Sequence, residues 1–150
     1  MDSAPWVDRV PPIRLGLTVP CDGRFRQIVH QIAFRVAQYI GYPEGAAGVV
    51  ARTVEEATSG ALEQAWGTPY TGVELNFHRT QREMEIRIRY LTNRHGAESA
   101  GPGIEQLLRR RWRERTPFDL IERVMTRVEF GRVDGSEVCT LALPLPTEIS

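Results

Sequence analysis

The spacing of apolar residues predicts where the first strand and the first helix lie. Apolar side chains alternate over Ile13, Leu15, Leu17 and Val19, which is the period of two of a strand with one buried face. From Phe25 to Ile40 apolar residues recur at steps of three and four, as in an amphipathic helix. Asp22 can cap that helix, and Gly41 and Pro43 follow its last turn.

A second helix is predicted from about Gly45 to Trp66, before Gly67 and Pro69. Its small residues form a stripe suited to close packing: Val50, Val54, Ala57, Ala61 and Ala65. Two alternating runs then predict a hairpin with one solvent-exposed face: Val73, Leu75 and Phe77, followed by Met84, Ile86, Ile88 and Tyr90.

The last third of the chain predicts a loop, two helices and a second hairpin. Asn93 to Gly103 has no periodicity and indicates a mobile surface loop. Helices are expected from Ile104 to about Glu114 and from Pro117 to about Met125. Arg127 to Val133 and Glu137 to Leu143 flank the dipeptide Asp134-Gly135, the strongest hairpin signal in the chain.

This order of elements predicts an α+β fold. Because most neighbouring strands are joined by short turns, we expect a two-layer α/β sandwich in which helices cover one face of a mixed, mostly antiparallel sheet. Residues 13–146 are predicted to form a single domain, with a flexible lead-in at 1–12 and a tail at 147–150.

Composition narrows the classes of function. A formal charge of +0 gives no overall field toward nucleic acid or an anionic membrane. All basic residues are arginine, so no lysine can form a Schiff base. Two cysteines and three scattered histidines show no spacing for zinc, and no segment suggests a membrane span or a signal peptide. We therefore expect a cytoplasmic protein without a metal site.

Three segments carry a resemblance to a known family: LTVPCD from Leu17 to Asp22, VEEATSGALEQA from Val54 to Ala65, and FDLIERVMTRVEF from Phe118 to Phe130. With the order of elements, they resemble the GHKL (Bergerat-fold) ATP-binding proteins, most closely the anti-sigma-factor serine kinases. The resemblance spans about Ile13 to Pro146. It implies the histidine-kinase ATPase-like fold and a site for ATP and Mg²⁺.

In that family the second helix carries a Glu that activates the attacking hydroxyl, and four residues later an Asn that holds Mg²⁺. One helical turn places both side chains on the same face. Glu56 matches the Glu, as the residual general base, whereas Gly60 stands at the Asn position and has no side-chain oxygen. The alternative for Glu56 is a solvated helix residue beside Glu55.

The family's adenine motif, Asp-x-Gly-x-Gly, can be placed in two registers. Counting along the chain puts Tyr90, Thr92 and Arg94 at its three positions. Matching by residue type selects Ser99, Gly101 and Gly103 instead, with Glu98 as a substitute carboxylate. Either way the Asp that would accept the adenine amino group is missing.

The family's phosphate motif, Gly-x-Gly, falls on Arg115 and Pro117, and proline offers no amide hydrogen to a phosphate. Arginines between Arg109 and Arg115 could attract phosphate by charge, although a solvated helix face or a partner-binding patch is the favoured interpretation.

These departures predict a catalytically silent relative of the anti-sigma kinases that needs no cofactor. We expect it to bind a protein partner: a sigma factor, a STAS-type antagonist or a second copy of itself. The alternative is an active or nucleotide-gated serine protein kinase that uses ATP and Mg²⁺. A third possibility is an α+β domain unrelated to this family.

Overall fold

The computed structural model describes residues 13–65, 70–92, 103–115 and 125–146. Five strands and three α-helices lie within these ranges. In chain order they are β1 (Arg14–Pro20), α1 (Arg26–Ile40), α2 (Glu44–Leu62), β2 (Tyr70–Arg79), β3 (Glu83–Thr92), α3 (Ile104–Arg115), β4 (Arg127–Val133) and β5 (Ser136–Pro144). Most of the predicted loop after β3 and of the helix after α3 lies outside the described residues.

The five strands form one sheet in the order β1-β2-β3-β5-β4. All four neighbouring pairs are antiparallel, so the sheet has no parallel pair among the described strands. Helix α2 packs on β2 and β3, α1 packs on α2, and α3 packs on α2 and β5. The prediction of a two-layer α+β sandwich is confirmed.

Strand β3 shows why the sheet has one dry and one wet face. Met84, Ile86, Ile88 and Tyr90 are all buried toward the helices, while the intervening Glu and Arg side chains are partly or fully exposed. Because successive side chains of a strand point to opposite faces, this alternation fixes which face the helices cover. Full burial of each large aliphatic side chain contributes about 1.5–3 kcal/mol.

The predicted end of α1 is confirmed, whereas Asp22 caps a short turn before the helix and not α1 itself, whose N-cap is Phe25. Asp22 Oδ1 accepts a hydrogen bond from the Arg24 backbone N–H at 2.9 Å and begins a 3-10 turn over Gly23–Phe25 that leads into the helix. Gly41 ends the helix with a φ of 117°, a left-handed conformation that glycine adopts without steric cost.

Helix α2 ends at Leu62, four residues before the predicted Trp66. Gln64 takes a φ of 57°, and its side-chain amide donates to the Tyr70 carbonyl at 2.8 Å. This bond ties the end of the helix to the start of β2. Ala65 is exposed beyond the helix, so the packing stripe stops at Ala61.

The prediction for the last hairpin is also confirmed. Asp134 and Gly135 have φ values of 50° and 81°. Two consecutive positive φ angles are typical of a type I′ turn, whose twist matches that of the flanking strands β4 and β5. No helix in the described ranges combines the length and the apolar character needed to cross a membrane.

Two glycine-to-alanine substitutions test the backbone conformations assigned to Gly41, after α1, and to Gly48, within α2. Gly41→Ala should lower the free energy of unfolding by about 1 kcal/mol, because alanine is strained at positive φ. Gly48→Ala, inside α2 with no atom near the added methyl group, should raise it by roughly 0.5–1 kcal/mol. Urea denaturation measures both, and equal effects of the two changes would contradict the assigned conformations.

Candidate functional site

The candidate site centres on the second half of α2. Every residue from Glu56 to Leu62 is buried, because this part of the helix lies between α1, the sheet and α3. Glu56 is 5% exposed, so the alternative that it is a solvated helix residue is wrong. Gly60 is buried one turn further along the same face.

Arg26 of α1 reaches across to two carboxylates of α2 and to that of Glu63, which directly follows the last turn of α2. Its Nε lies 2.6 Å from Glu55 Oε2, its Nη1 lies 2.8 Å from Glu63 Oε1, and its Nη2 lies 3.5 Å from Glu56 Oε1. His30, one turn along α1, shares a 2.7 Å hydrogen bond between its Nδ1 and Glu55 Oε1. We call these five residues the Arg26 cluster.

The electrostatics of the Arg26 cluster hold Arg26 in its charged form. The hydrogen bond to Glu55 raises the pKa of the guanidinium, although desolvation opposes this rise, and the bond to Glu63 adds to it. The Arg26 side chain is 30% exposed and that of Glu56 only 7%, so this contact joins a partly exposed cation to a buried carboxylate. A general base needs its lone pairs directed at a substrate, and Arg26 competes for them.

Tyr90 lies at the adenine-motif Asp position in the first register. It sits near the end of β3 on the helix side of the sheet, and its hydroxyl donates to the Ala57 carbonyl of α2 at 2.7 Å. Burial raises the pKa of Tyr90 well above its usual range. The phenol therefore stays neutral and donates a hydrogen bond inward, whereas the family's carboxylate accepts one from the base.

The second register has only one described residue, because Ser99 and Gly101 lie outside the described ranges. Gly103 immediately precedes α3. At this helix end the Ile104 backbone N–H donates to Glu137 Oε2 of β5 at 2.9 Å. The Glu137 carboxylate thus takes the place that an anionic ligand would have at the first turn of the helix.

Helix α3 turns an apolar face toward the interior. Ile104, Leu108 and Trp112 recur at steps of four, and each is at most 2% exposed. The burial of Trp112 places this large side chain in the core. Its indole N–H has no hydrogen-bond partner among the described residues.

Of the α3 arginines whose side chains are described, one packs against Phe130 and two are exposed. Arg109 lies 5.5 Å above the Phe130 ring and is 3.0 Å from Glu105, one turn earlier. Arg110 and Arg113 are exposed. Arg115 is the last residue of the helix, and Pro117, the second position of the phosphate motif, lies outside the described residues.

The hydroxyl groups near Glu56 bond to their own helix. Thr58 Oγ1 donates to the carbonyls of Val54 and Glu55, each at 3.1 Å, and Ser59 Oγ lies 3.5 Å from the Glu56 carbonyl. Such bonds satisfy a hydroxyl in a buried helix without activating it. Within the described ranges, no group of three His, Cys, Asp or Glu residues could hold a metal ion.

Of the Arg26 cluster, only Glu56 was expected from the sequence. A partial pattern was present: Arg26 and His30 are four residues apart on one face of α1. Glu55 lies on α2, and Glu63 directly follows the last turn of that helix. Charge-complementary faces on consecutive amphipathic helices predict such pairing, provided that the two helices are known to be neighbours.

No family model matches the sequence, and no curated protein matches it either. The resemblance to the anti-sigma kinases therefore remains an expectation from the three quoted segments.

Tyr90→Phe tests the contact between β3 and α2. Removing a buried hydroxyl that donates at 2.7 Å should lower the free energy of unfolding by about 0.5–1.5 kcal/mol. Urea denaturation measures the change. Tyr39→Phe on the exposed side of α1 is the control, and an equal loss there would contradict a specific role for the Tyr90 hydroxyl.

Arg26→Met tests the cluster itself. Three carboxylates would then face each other without their shared cation, so unfolding should become easier by about 1–3 kcal/mol. Arg24→Met is the matched control, because among the described residues Arg24 pairs only with Asp22 at the surface and its loss should matter less. If both variants unfold at the same denaturant concentration, the cluster does not hold α1 to α2.

Proposed function

We propose that this protein is a cytoplasmic regulator of the anti-sigma-factor type that acts by binding a protein partner and has lost ATP chemistry. The observation that carries the proposal is the occupation of the interior face of α2. Arg26 engages the Glu56 carboxylate, and Tyr90 donates to the adjacent Ala57 carbonyl. These contacts support the proposal, because the resemblance implies that the nucleotide would be bound from the same side of α2.

The absence of a magnesium ligand at Gly60 supports the same proposal. Mg²⁺ requires oxygen ligands in near-octahedral geometry, and a buried glycine one turn after Glu56 provides none from its side chain. Without the metal, the carboxylates of the Arg26 cluster would repel a negatively charged triphosphate. The Arg26 cluster would therefore repel the nucleotide, and its internal contacts would take the place of contacts to the nucleotide.

The partner that best fits this proposal is a sigma factor or a STAS-type antagonist, the classes implied by the resemblance. In this proposal the core packing is retained and the polar groups on the interior face of α2 have partners within the protein. The protein therefore acts through its surface. A balanced surface with a formal charge of +0 suits a protein partner better than nucleic acid.

The second candidate is a serine protein kinase with divergent ligands. One observation favours it: Glu56 is buried at the general-base position of the resembled family, with its carboxylate 3.5 Å from Arg26 Nη2, a long contact that substrate could replace. In that case Arg26 would be a phosphate-binding cation.

Thermal denaturation with ATP and Mg²⁺ separates the two candidates. A competent pocket at 100 times its dissociation constant gains about 2.7 kcal/mol, which raises Tm by roughly 5–10 °C. We expect no shift at millimolar ATP.

Phosphate transfer is the second arm of this test. Incubation with labelled ATP and a STAS protein from the same genome should leave that protein unlabelled. If label appears, is lost in Glu56→Gln and is kept in Glu105→Gln on the exposed face of α3, the kinase is correct and our proposal is wrong.

A further inference from the structure

The chain contains the dipeptide Asp-Gly twice, at Asp22-Gly23 and at Asp134-Gly135. In such a dipeptide the backbone nitrogen of the glycine can attack the side-chain carboxyl of the aspartate, because glycine has no Cβ to block the approach. The attack closes a five-membered ring within one chain, and its rate depends on how readily the two atoms can meet. Since both sites share this local chemistry, the structure around each one decides its reactivity.

Asp22 is held in place by Arg24. Its Oδ1 accepts from the Arg24 backbone N–H at 2.9 Å and from Arg24 Nε at 3.1 Å, and its Oδ2 accepts from Arg24 Nη2 at 2.6 Å. The side-chain and backbone hydrogen bonds from Arg24 lower the pKa of the Asp22 carboxyl to about 2. Ring closure requires the protonated carboxyl, whose hydroxyl leaves as water, so these bonds disfavour the reaction at Asp22.

Asp134 lacks a comparable partner among the described residues. Asp134 and Gly135 are exposed at the tip of the hairpin between β4 and β5. The nearby Arg132 donates from its Nη1 to the Gly135 carbonyl at 3.3 Å, and so does not hold the Asp134 carboxylate. The Asp134 side chain is therefore able to rotate toward the Gly135 nitrogen.

The backbone at this tip is weakly restrained. Val133 and Ser136 form the last pair of the β4–β5 ladder, so the Gly135 N–H lies beyond it. Strand β4 stands at the end of the sheet order, and among the described strands it pairs with β5 alone. Tips of exposed hairpins open locally at a low cost in free energy. Such openings let the Gly135 nitrogen reach Cγ of Asp134.

We propose that Asp134 is a site of spontaneous isoaspartate formation in the folded protein, and that Asp22 is protected from it. The Gly135 nitrogen forms a bond to Cγ of Asp134, and the Cγ–OH bond breaks. The hydroxyl leaves with the amide proton as water, which gives a cyclic imide. Water then opens the ring at either carbonyl. Cleavage of the bond between the nitrogen and Cγ restores aspartate, and cleavage at the main-chain carbonyl gives isoaspartate.

The modification alters the turn itself. Isoaspartate carries the main chain through its side-chain methylene, which adds one carbon to the backbone between Val133 and Ser136. A two-residue turn with positive φ at both positions matches the twist of its strands only at its normal length. The added carbon therefore loosens the pairing of β4 with β5. The reaction needs neither a nucleotide nor a protein partner, so it is independent of the proposed function.

Peptide mapping after prolonged warm incubation of the full chain tests the proposal. Trypsin cleaves after arginine and places the two dipeptides in separate peptides, 15–24 and 133–150. Chromatography separates the isoaspartate form of each peptide, and labelling by an isoaspartate methyltransferase identifies it. We expect isoaspartate in peptide 133–150 and none in peptide 15–24. Incubation in urea is the control, because both sites should then isomerise at similar rates.

Two variants test the cause of the difference. Asp134→Asn should isomerise faster at the turn, because the same ring then forms with loss of ammonia. Arg24→Met should allow isoaspartate to form at Asp22, now in peptide 15–26, and should leave the reaction at Asp134 unchanged.

Equal accumulation at both sites of the folded chain would overturn the proposal. An unmodified Asp134 in a folded sample, when the urea sample has isomerised, would also overturn it. A folded Arg24→Met variant whose Asp22 stays unmodified would overturn the protection assigned to Arg24.

Discussion

Helix α2 is buried on all sides from Glu56 to Leu62, and this burial determines what its polar groups can do. A polar group removed from water must find a partner inside the protein or cost free energy. Glu56 is near Arg26, the Thr58 hydroxyl bonds to its own helix, and the Ala57 carbonyl accepts from Tyr90. In the proposed function, these same contacts disfavour the binding of a nucleotide at α2.

The two edge strands of the sheet differ from each other. Strand β4 carries Arg127, Glu129 and Arg132, whereas Arg14 is the charged residue of β1. Among the described residues, the helices lie on one face of the sheet. The proposed binding of a protein partner therefore relies on the surface of the domain.

The sequence was sufficient for most of the fold because local signals agreed with the tertiary structure. Alternation in β3, the glycine after α1 and the Asp134-Gly135 turn each specify one geometry, and each is found. The end of α2 was misplaced because Gln64 adopts a left-handed conformation without being glycine. Its side chain compensates by bonding to β2, a contact that no local pattern indicates.

The candidate site was less predictable for a different reason. Glu56 was found through the resemblance, but its environment depends on Arg26, which is distant in sequence and belongs to another helix. Likewise, the sequence could place Tyr90 at the adenine position but not reveal that its hydroxyl points to Ala57. Contacts between elements follow from packing, so they appear only once the helices have been placed on the sheet.

The proposed loss of ATP chemistry depends on the contacts that Arg26 and Tyr90 make with α2. An NMR titration of the labelled protein with ATP and Mg²⁺ tests it most directly, followed through the backbone amides of Glu56, Ala57, Gly60 and Tyr90. We expect the chemical shifts of these four amides to remain unchanged up to millimolar ATP. Saturable shifts confined to these four amides would contradict this expectation.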